Sequence, residues 1–83
     1  MTNTRDTDTR LSFEYDELGG RLEIHGNRKG LEHLVEQLQF LIRTDRDDHI
    51  HLMTQEWGGS GLSSEKENAR AFLVHHVKIF RLQ

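Results

Sequence analysis

The sequence from Asp48 to Leu62 reads Asp-His-Ile-His-Leu-Met-Thr-Gln-Glu-Trp-Gly-Gly-Ser-Gly-Leu, and the rest of the chain is organised around it. Polar and apolar residues alternate over its first positions, which is the pattern of a strand with one buried face. Ile50 and Leu52 are predicted to face the core, and His49 and His51 to face outward. The only tryptophan of the chain follows, with three glycines. Because glycine readily adopts positive φ angles, these residues indicate a tight turn.

The composition indicates a small domain. The chain has 83 residues, and a domain of this size buries only about 60–65% of the surface that its unfolded form exposes. It contains no cysteine, which excludes disulfides and thiolate chemistry. No apolar run reaches the ~18–20 residues of a membrane span, and no signal-peptide pattern is visible. We therefore expect a cytoplasmic protein that makes no contact with a membrane.

The first ten residues differ in composition from the rest. They contain no apolar side chain after Met1, so burial cannot offset the entropy lost on ordering them. We expect residues 1–10 to form a disordered tail and residues 11–83 to form a single α+β domain.

Two strands and a helix are predicted before the central strand. Residues 11–16 and 21–25 alternate apolar with polar side chains on either side of a Gly-Gly pair, which indicates a β-hairpin. Asn27 can cap a helix, because its side-chain oxygen can accept hydrogen bonds from amides of the first turn. Apolar residues then recur at steps of three and four, which predicts an amphipathic helix from Asn27 to Thr44.

The last third of the chain is less regular. Ser64 and Glu67 have the spacing of a capping box, so a short helical turn there is an open alternative to a loop. The segment from Phe72 to Leu82 is rich in β-branched and aromatic residues and is predicted to be the last strand. His75 interrupts the alternation, so we expect a bulge or a late strand start near it.

The element order β-β-α-β-β predicts a two-layer α+β fold, in which one amphipathic helix covers one face of a mainly antiparallel sheet of about four strands. Helix residues Leu34 and Leu38 should be buried against that face. The covered face should carry the apolar strand residues Phe13, Leu22, Ile24, Ile50, Leu52, Val77 and Ile79. The opposite, open face should carry Glu23, His25, His49, His51, Met53, His76 and Lys78. We expect any partner that binds the sheet to use the open face.

Six histidines raise the question of a metal site. His49 and His51 project from the same side of a strand, where two imidazoles could share an ion. However, polar residues alternate on the open face of any half-covered strand, and the chain has no cysteine and no His-x-x-x-His pair. We therefore predict no metal ligand, no cofactor and no catalytic residue, and we expect both histidines to titrate near the ordinary histidine range.

The charge distribution favours a protein partner. The net charge is −3, and no basic stripe suited to phosphates is visible, which argues against a nucleic-acid partner. Residues 45–56 carry four acidic groups and one basic group, so this segment suits a basic partner. The candidate partner-binding residues lie in and directly after this segment and are Asp45, Asp47, Asp48, His49, His51, Glu56, Trp57, Gly58 and Gly59.

Three stretches of the sequence resemble a known family. They read Ile24-His-Gly-Asn27 followed by Gly30-Leu-Glu-x-Leu34, then Asp48-His-Ile-His-Leu-Met-Thr-x-Glu-Trp-Gly-Gly-x-x-Leu-Ser63, and then His75-His-Val-Lys-Ile79. Together they resemble the immunity protein 32 family of bacterial polymorphic toxin systems, over about Leu11 to Leu82. The resemblance implies a small cytoplasmic protein, encoded beside a toxin, that binds the toxin and blocks its activity. Such an inhibitor needs a complementary surface and is not an enzyme.

Two other classes of function remain open from the sequence. A structural or assembly module that forms a homodimer through the open sheet face would show the same pattern, and it would be a stable dimer without any toxin. A small histidine-dependent metal-binding protein would purify with stoichiometric metal. If the protein is an immunity protein, the expected partner is a cognate toxin. A basic active-site groove on that toxin would suit the acidic segment, residues 45–56.

Overall fold

The computed structural model describes residues 9–59 and 61–82 and confirms the α+β class. In chain order the elements are β1 (Leu11–Asp16), β2 (Arg21–Gly26), the helix α1 (Arg28–Arg43), β3 (Asp48–Thr54), β4 (Gly61–Leu62), β5 (Phe72–Val74) and β6 (His76–Arg81). A single turn of 3-10 helix, Gln55–Trp57, directly follows β3. A disordered tail was expected over residues 1–10, and residues 1–8 of this stretch lie outside the described residues.

The strands form two sheets of three strands each. In the first sheet, β1 is central and pairs antiparallel with β2 and β5. In the second sheet, β3 is central and pairs antiparallel with β6 and parallel with β4. The predicted strands are all present, but the structure differs from a single sheet of about four strands. The last strand is divided between the two sheets, and β4 is an additional strand of two residues.

The last strand divides at His75, where the sequence predicted an irregularity. β5 pairs with β1 before this residue and β6 pairs with β3 after it. The His75 carbonyl oxygen accepts a hydrogen bond from the Thr54 amide at 2.9 Å, and its ring Nδ1 lies 2.7 Å from the Thr54 hydroxyl oxygen. The expected break is confirmed, and it takes the form of a change of sheet.

The helix α1 is capped as predicted. The Asn27 side-chain oxygen accepts a hydrogen bond from the Gly30 amide at 2.8 Å, and the Asn27 amide donates to the Arg10 carbonyl oxygen at 3.0 Å. A Cβ atom at residue 30 would overlap that same carbonyl group. The first turn of the helix is therefore packed directly on the chain that leads into β1. No helix among residues 9–59 and 61–82 is long and apolar enough to cross a membrane.

The hydrophobic core lies between the helix and the two sheets. Its buried apolar residues are Leu11, Phe13, Leu41, Ile50, Leu52, Leu62 and Ala71, with Leu34, Val74, Val77 and Ile79 partly buried against them. The predicted burial of Ile50 and Leu52 is confirmed.

Some predicted core residues are more exposed than expected. Leu34 and Leu38 are only half-buried, and Leu41 is the buried apolar side chain of the helix. On β2, Leu22 and Ile24 are 57% and 48% exposed. The reason is that β2 is an edge strand of the first sheet, and the helix covers this edge only in part.

The second face of the first sheet is covered, which corrects the expectation of one continuous open face. Glu14 and Asp16 project from this face and are buried. Residues 63–71 lie across it, with no helical turn at the predicted capping box. Glu23 and His25, expected on the open face, lie beside this segment and are half-buried.

Candidate functional site

The outer face of the second sheet is the part of the predicted open face that stays exposed. It is formed by three cross-strand pairs of β3 and β6, which are His49 with Phe80, His51 with Lys78, and Met53 with His76. Directly opposite residues of antiparallel strands project to the same side, so these six side chains form one surface, called here the outer face. All of them except Met53 are exposed, and Met53 is half-buried.

Three histidines of the outer face are linked in a row. His49 Nε2 lies 3.0 Å from His51 Nε2, and His51 Nδ1 lies 2.9 Å from His76 Nε2. With both ring nitrogens engaged, a neutral His51 can donate to one neighbour and accept from the other. Loss of hydration lowers the pKa of His51, and the charges of His49, Lys78 and His76 lower it further. His51 is therefore expected to titrate on the low side of the ordinary histidine value.

The row is not arranged as a three-histidine metal site. His51 turns one ring nitrogen to each neighbour, so the three rings do not direct their nitrogens at a common point. Within the described residues, one group brings three potential ligand atoms within 4.8 Å of one another, and it consists of Glu14, Glu23 and His25. Sequence analysis did not identify this group.

The Glu14 carboxylate is occupied by protein hydrogen bonds. It accepts from the Ser12 hydroxyl at 2.6 Å and from the amides of Glu67 and Asn68 at 2.8 and 2.9 Å. Burial raises the pKa of Glu14, but these bonds favour the ionised form and together hold the pKa below its ordinary value. This carboxylate fixes residues 67–68 against the first sheet, so its donors explain its burial without a metal.

The Glu23 carboxylate is engaged in the same way. His25 Nε2 lies 2.9 Å from Glu23 Oε1, the Asn68 side-chain amide donates to the same oxygen at 3.1 Å, and Arg21 forms an ion pair at 3.0 Å. The bond to His25, followed by those to Asn68 and Arg21, lowers the pKa of Glu23 to about 2. The group is a structural cluster, and the prediction of no metal stays a prediction.

The turn after β3, formed by residues 55–59 and called here the Trp57 turn, presents Trp57 to solvent. Trp57 is 59% exposed, and its ring stacks on His75, with ring centres 6.0 Å apart and planes 15° apart. Gly58 follows with a φ of 80°, which side-chain-bearing residues rarely adopt. A Cβ at Gly59 would come within 2.5 Å of Met53 Cβ, so glycine is needed for the turn to fold back on β3. The indole is thus oriented by the protein while most of its surface is free.

The Trp57 turn is continuous with the outer face. The Trp57 and His76 ring centres are 6.5 Å apart. Glu56 is exposed and accepts a hydrogen bond from the Ser64 hydroxyl at 2.6 Å. This bond is the main reason that the pKa of Glu56 lies below its ordinary value. Ser60, which belongs to the predicted loop, lies outside the described residues.

The acidic candidates do not form one cluster. Asp45 and Asp47 are exposed before β3, and Asp48 begins it, where its carboxylate accepts a hydrogen bond from the His49 amide at 2.8 Å. Glu56 follows the other end of this strand, and seven residues of extended chain span roughly 20 Å. The two acidic ends are therefore separated by the histidine row.

Sequence reasoning left four residues of this surface outside the candidate set, namely Met53 of β3 and His76, Lys78 and Phe80 of β6. His76 completes the histidine row. Lys78 places its Nζ 5.0 Å from the Phe80 ring centre, and the Phe80 ring lies 5.3 Å from that of His49. Phe80 is 57% exposed, so it adds a second large aromatic side chain to the surface.

The comparison with protein families agrees with the resemblance in the sequence. The family model described as immunity protein 32 matches residues 21–77, a range that begins with β2 and reaches into β6. No curated protein and no solved structure matches the chain. Because the matched range spans more than half of the 83 residues, the chain belongs to the immunity protein 32 family.

Proposed function

We propose that this protein binds a cognate bacterial toxin directly and blocks its activity in the cytoplasm of the producing cell. Membership of an immunity protein family supports a toxin-neutralising role. The observation that carries the proposal is Trp57, a large aromatic side chain that is 59% exposed although the stack on His75 fixes its orientation. Inhibition by binding needs no catalytic group, and we infer that the protein is not an enzyme.

The proposed binding surface consists of the Trp57 turn and the adjoining outer face. Aromatic residues are enriched at the centres of protein interfaces, where truncating a few of them removes most of the affinity. Here Trp57 and Phe80 lie on either side of the histidine row. Because cross-strand pairing and ring stacking hold these side chains, little conformational entropy would be lost when a partner binds.

Charge supports a partner with basic groups at two places. Asp45, Asp47 and Asp48 lie near one end of β3 and Glu56 near the other, with Lys78 between them on the outer face. A basic groove on the toxin could span this distance if its cationic side chains met the acidic ends. Covering such a groove would occlude the catalytic or substrate-binding residues within it.

The first test of this surface is Trp57→Ala, measured against the toxin encoded beside the gene. We expect the affinity to fall about 30-fold or more, since a hot-spot aromatic is worth ~2 kcal/mol or more. Phe72→Ala is the matched control, because Phe72 is 60% exposed but lies on the first sheet. Calorimetric titration and a co-expression survival assay provide the two readouts.

This experiment distinguishes an error in the proposed binding surface from an error in the proposed function. Equal affinity of folded Trp57→Ala and wild-type protein would show that the binding surface lies elsewhere. If the wild type neither binds nor protects against the adjacent toxin, the immunity function itself is wrong.

A further inference from the structure

The outer edge of β2 is open. In the described part of the chain, β2 is the terminal strand of the first sheet and pairs on one side only, with β1. An open strand edge offers backbone N–H and C=O groups to another strand, and natural proteins usually protect such edges. On the face that is turned toward the core, Leu22 and Ile24 are 57% and 48% exposed. This edge therefore combines free backbone groups with apolar side chains.

An apolar depression lies on the helix beside this edge. Its apolar lining is formed by Leu31 and Val35, which are 45% and 50% exposed. Gly26, the last residue of β2, lies against Leu31, since a Cβ added to Gly26 would be 3.0 Å from Leu31 Cδ2. A side chain placed opposite Gly26 by a neighbouring strand would therefore contact Leu31.

We propose that a second copy of this chain pairs with the β2 edge, antiparallel and with Ile24 on the two-fold axis. In this register Ile24 faces Ile24 of the second copy, and Glu23 faces His25 of the second copy. Leu22 faces Gly26 of the second copy and extends over its Leu31. The Ile24 contact lies on the axis and occurs once, whereas each of the others occurs twice, as a two-fold interface requires.

The sequence of β2 is self-complementary in this register. On one face of the joined sheet, the apolar Leu22 and Ile24 meet apolar partners. On the other face, Glu23 of each copy lies opposite His25 of the other, and a carboxylate can accept a hydrogen bond from an imidazole N–H. A register centred on Glu23 would instead place the two Glu23 carboxylates directly opposite each other, which is unfavourable. The self-complementary pattern of β2 thus favours a second copy as the partner and a register centred on Ile24 over one centred on Glu23.

The dimer would leave the proposed toxin-binding surface free. The β2 edge belongs to the first sheet, whereas the outer face belongs to the second. Dimerisation can therefore be measured without any toxin, and its failure would not bear on the immunity function.

Cysteine cross-linking tests the register. The chain has no cysteine, so a single introduced thiol gives an unambiguous product. Directly opposite residues of antiparallel strands have Cα atoms about 4.5–5.5 Å apart, which is within the range of a disulfide. We expect Ile24→Cys to form a disulfide-linked dimer under mild oxidation, because the two thiols face each other. Leu22→Cys should not do so, because it faces Gly26.

Sedimentation equilibrium tests the dimer itself. We expect the wild type to approach twice the 9.7 kDa monomer mass as concentration rises. Ile24→Lys should be monomeric, since two ammonium groups would meet on the axis. Ile42→Lys, at a 70% exposed position near the end of the helix, should dimerise like the wild type. A wild type that stays at the monomer mass at all concentrations, or equal cross-linking of the two cysteine variants, would overturn the proposal.

Discussion

Glu14 binds a loop to the first sheet through an ionised carboxylate that has no exposed surface. Its donors are one hydroxyl and two backbone amides, and hydrogen bonds to a charged carboxylate are stronger than those to a neutral carboxyl group. The adjoining Glu23 carboxylate has a pKa of about 2. Both acids therefore bind protons less readily in the folded protein than in the unfolded chain.

We expect Glu14→Gln to lower the free energy of unfolding by ~1–3 kcal/mol near pH 7, because the amide nitrogen of glutamine would face backbone donors and leave one unsatisfied. The pH dependence has a definite sign. A lowered folded-state pKa gives stability that is present above the unfolded-state pKa and is lost as pH falls through the folded-state pKa. Wild-type stability should therefore decline from about pH 4.5 toward pH 2, and the decline should be smaller in Glu14→Gln.

Urea denaturation at a series of pH values checks this expectation. Glu17→Gln is the control, since Glu17 is an exposed residue of the β1–β2 turn. Identical pH profiles for Glu14→Gln and the wild type would contradict the role assigned to this carboxylate.

The role of Glu14 could not be predicted from the local sequence. Alternation in β1 correctly places Ser12, Glu14 and Asp16 on the face opposite Phe13. The same pattern describes a polar face in water and a polar face covered by hydrogen-bonding backbone. The covering segment is more than 50 residues away in the chain, so only the tertiary structure distinguishes the two.

Among the elements, the helix depends on close contact with the chain before β1. Gly30 lies inside α1, where an isolated helix would gain up to ~1 kcal/mol from Gly→Ala. Here the added Cβ would overlap the Arg10 carbonyl group, which also accepts the Asn27 amide. Overpacking of this kind typically costs ~1–3 kcal/mol.

We therefore expect Gly30→Ala to lower the thermal midpoint, opposite to its effect on helix propensity. Gln39→Ala, at an exposed helix position, should change the stability by less than about 0.5 kcal/mol. Differential scanning calorimetry of both variants measures the difference. A Gly30→Ala protein as stable as the wild type would mean that the helix start does not need this contact.

Elements with a strong local period were predictable, and elements defined by distant pairing were not. The hairpin, the helix with its Asn27 cap and β3 follow from periodicity and capping chemistry. The irregularity at His75 was visible in the sequence. The division into β5 and β6 was not, because it depends on the pairing of β5 with β1 and of β6 with β3. The two-residue β4 has no period to detect.

On the scale of the whole molecule, the sequence predicted which residues belong to the candidate site better than it predicted how they are arranged. The sequence placed His49 and His51 outward and identified Trp57, and the structure joins them on one surface. The acidic residues at both ends of this surface follow from the order of residues 45–48, the strand and Glu56 in the sequence. The sequence could not show that Trp57 stacks on His75 and lies beside His76, because those contacts depend on how β3 pairs with the last strand.

This arrangement leads to a prediction about association with the toxin. If basic groups of the toxin meet both acidic ends, then Asp45→Lys, Asp47→Lys and Glu56→Lys in one protein should slow association, most strongly at low salt, where charges are screened least. All three positions are exposed, so the fold should be retained. The matched control is Glu17→Lys, Glu32→Lys and Glu36→Lys, which changes the net charge equally at exposed positions on other surfaces.

Stopped-flow association rates at two or more salt concentrations separate the local effect from the effect of net charge. A local effect slows the first triple variant well beyond the control and gives it a weaker salt dependence than the wild type, because attractive steering has been removed. Equal slowing of both variants would attribute the change to net charge alone. Wild-type rates in the first variant would exclude the acidic ends from the interface, and Trp57 and the outer face would then have to account for binding without them.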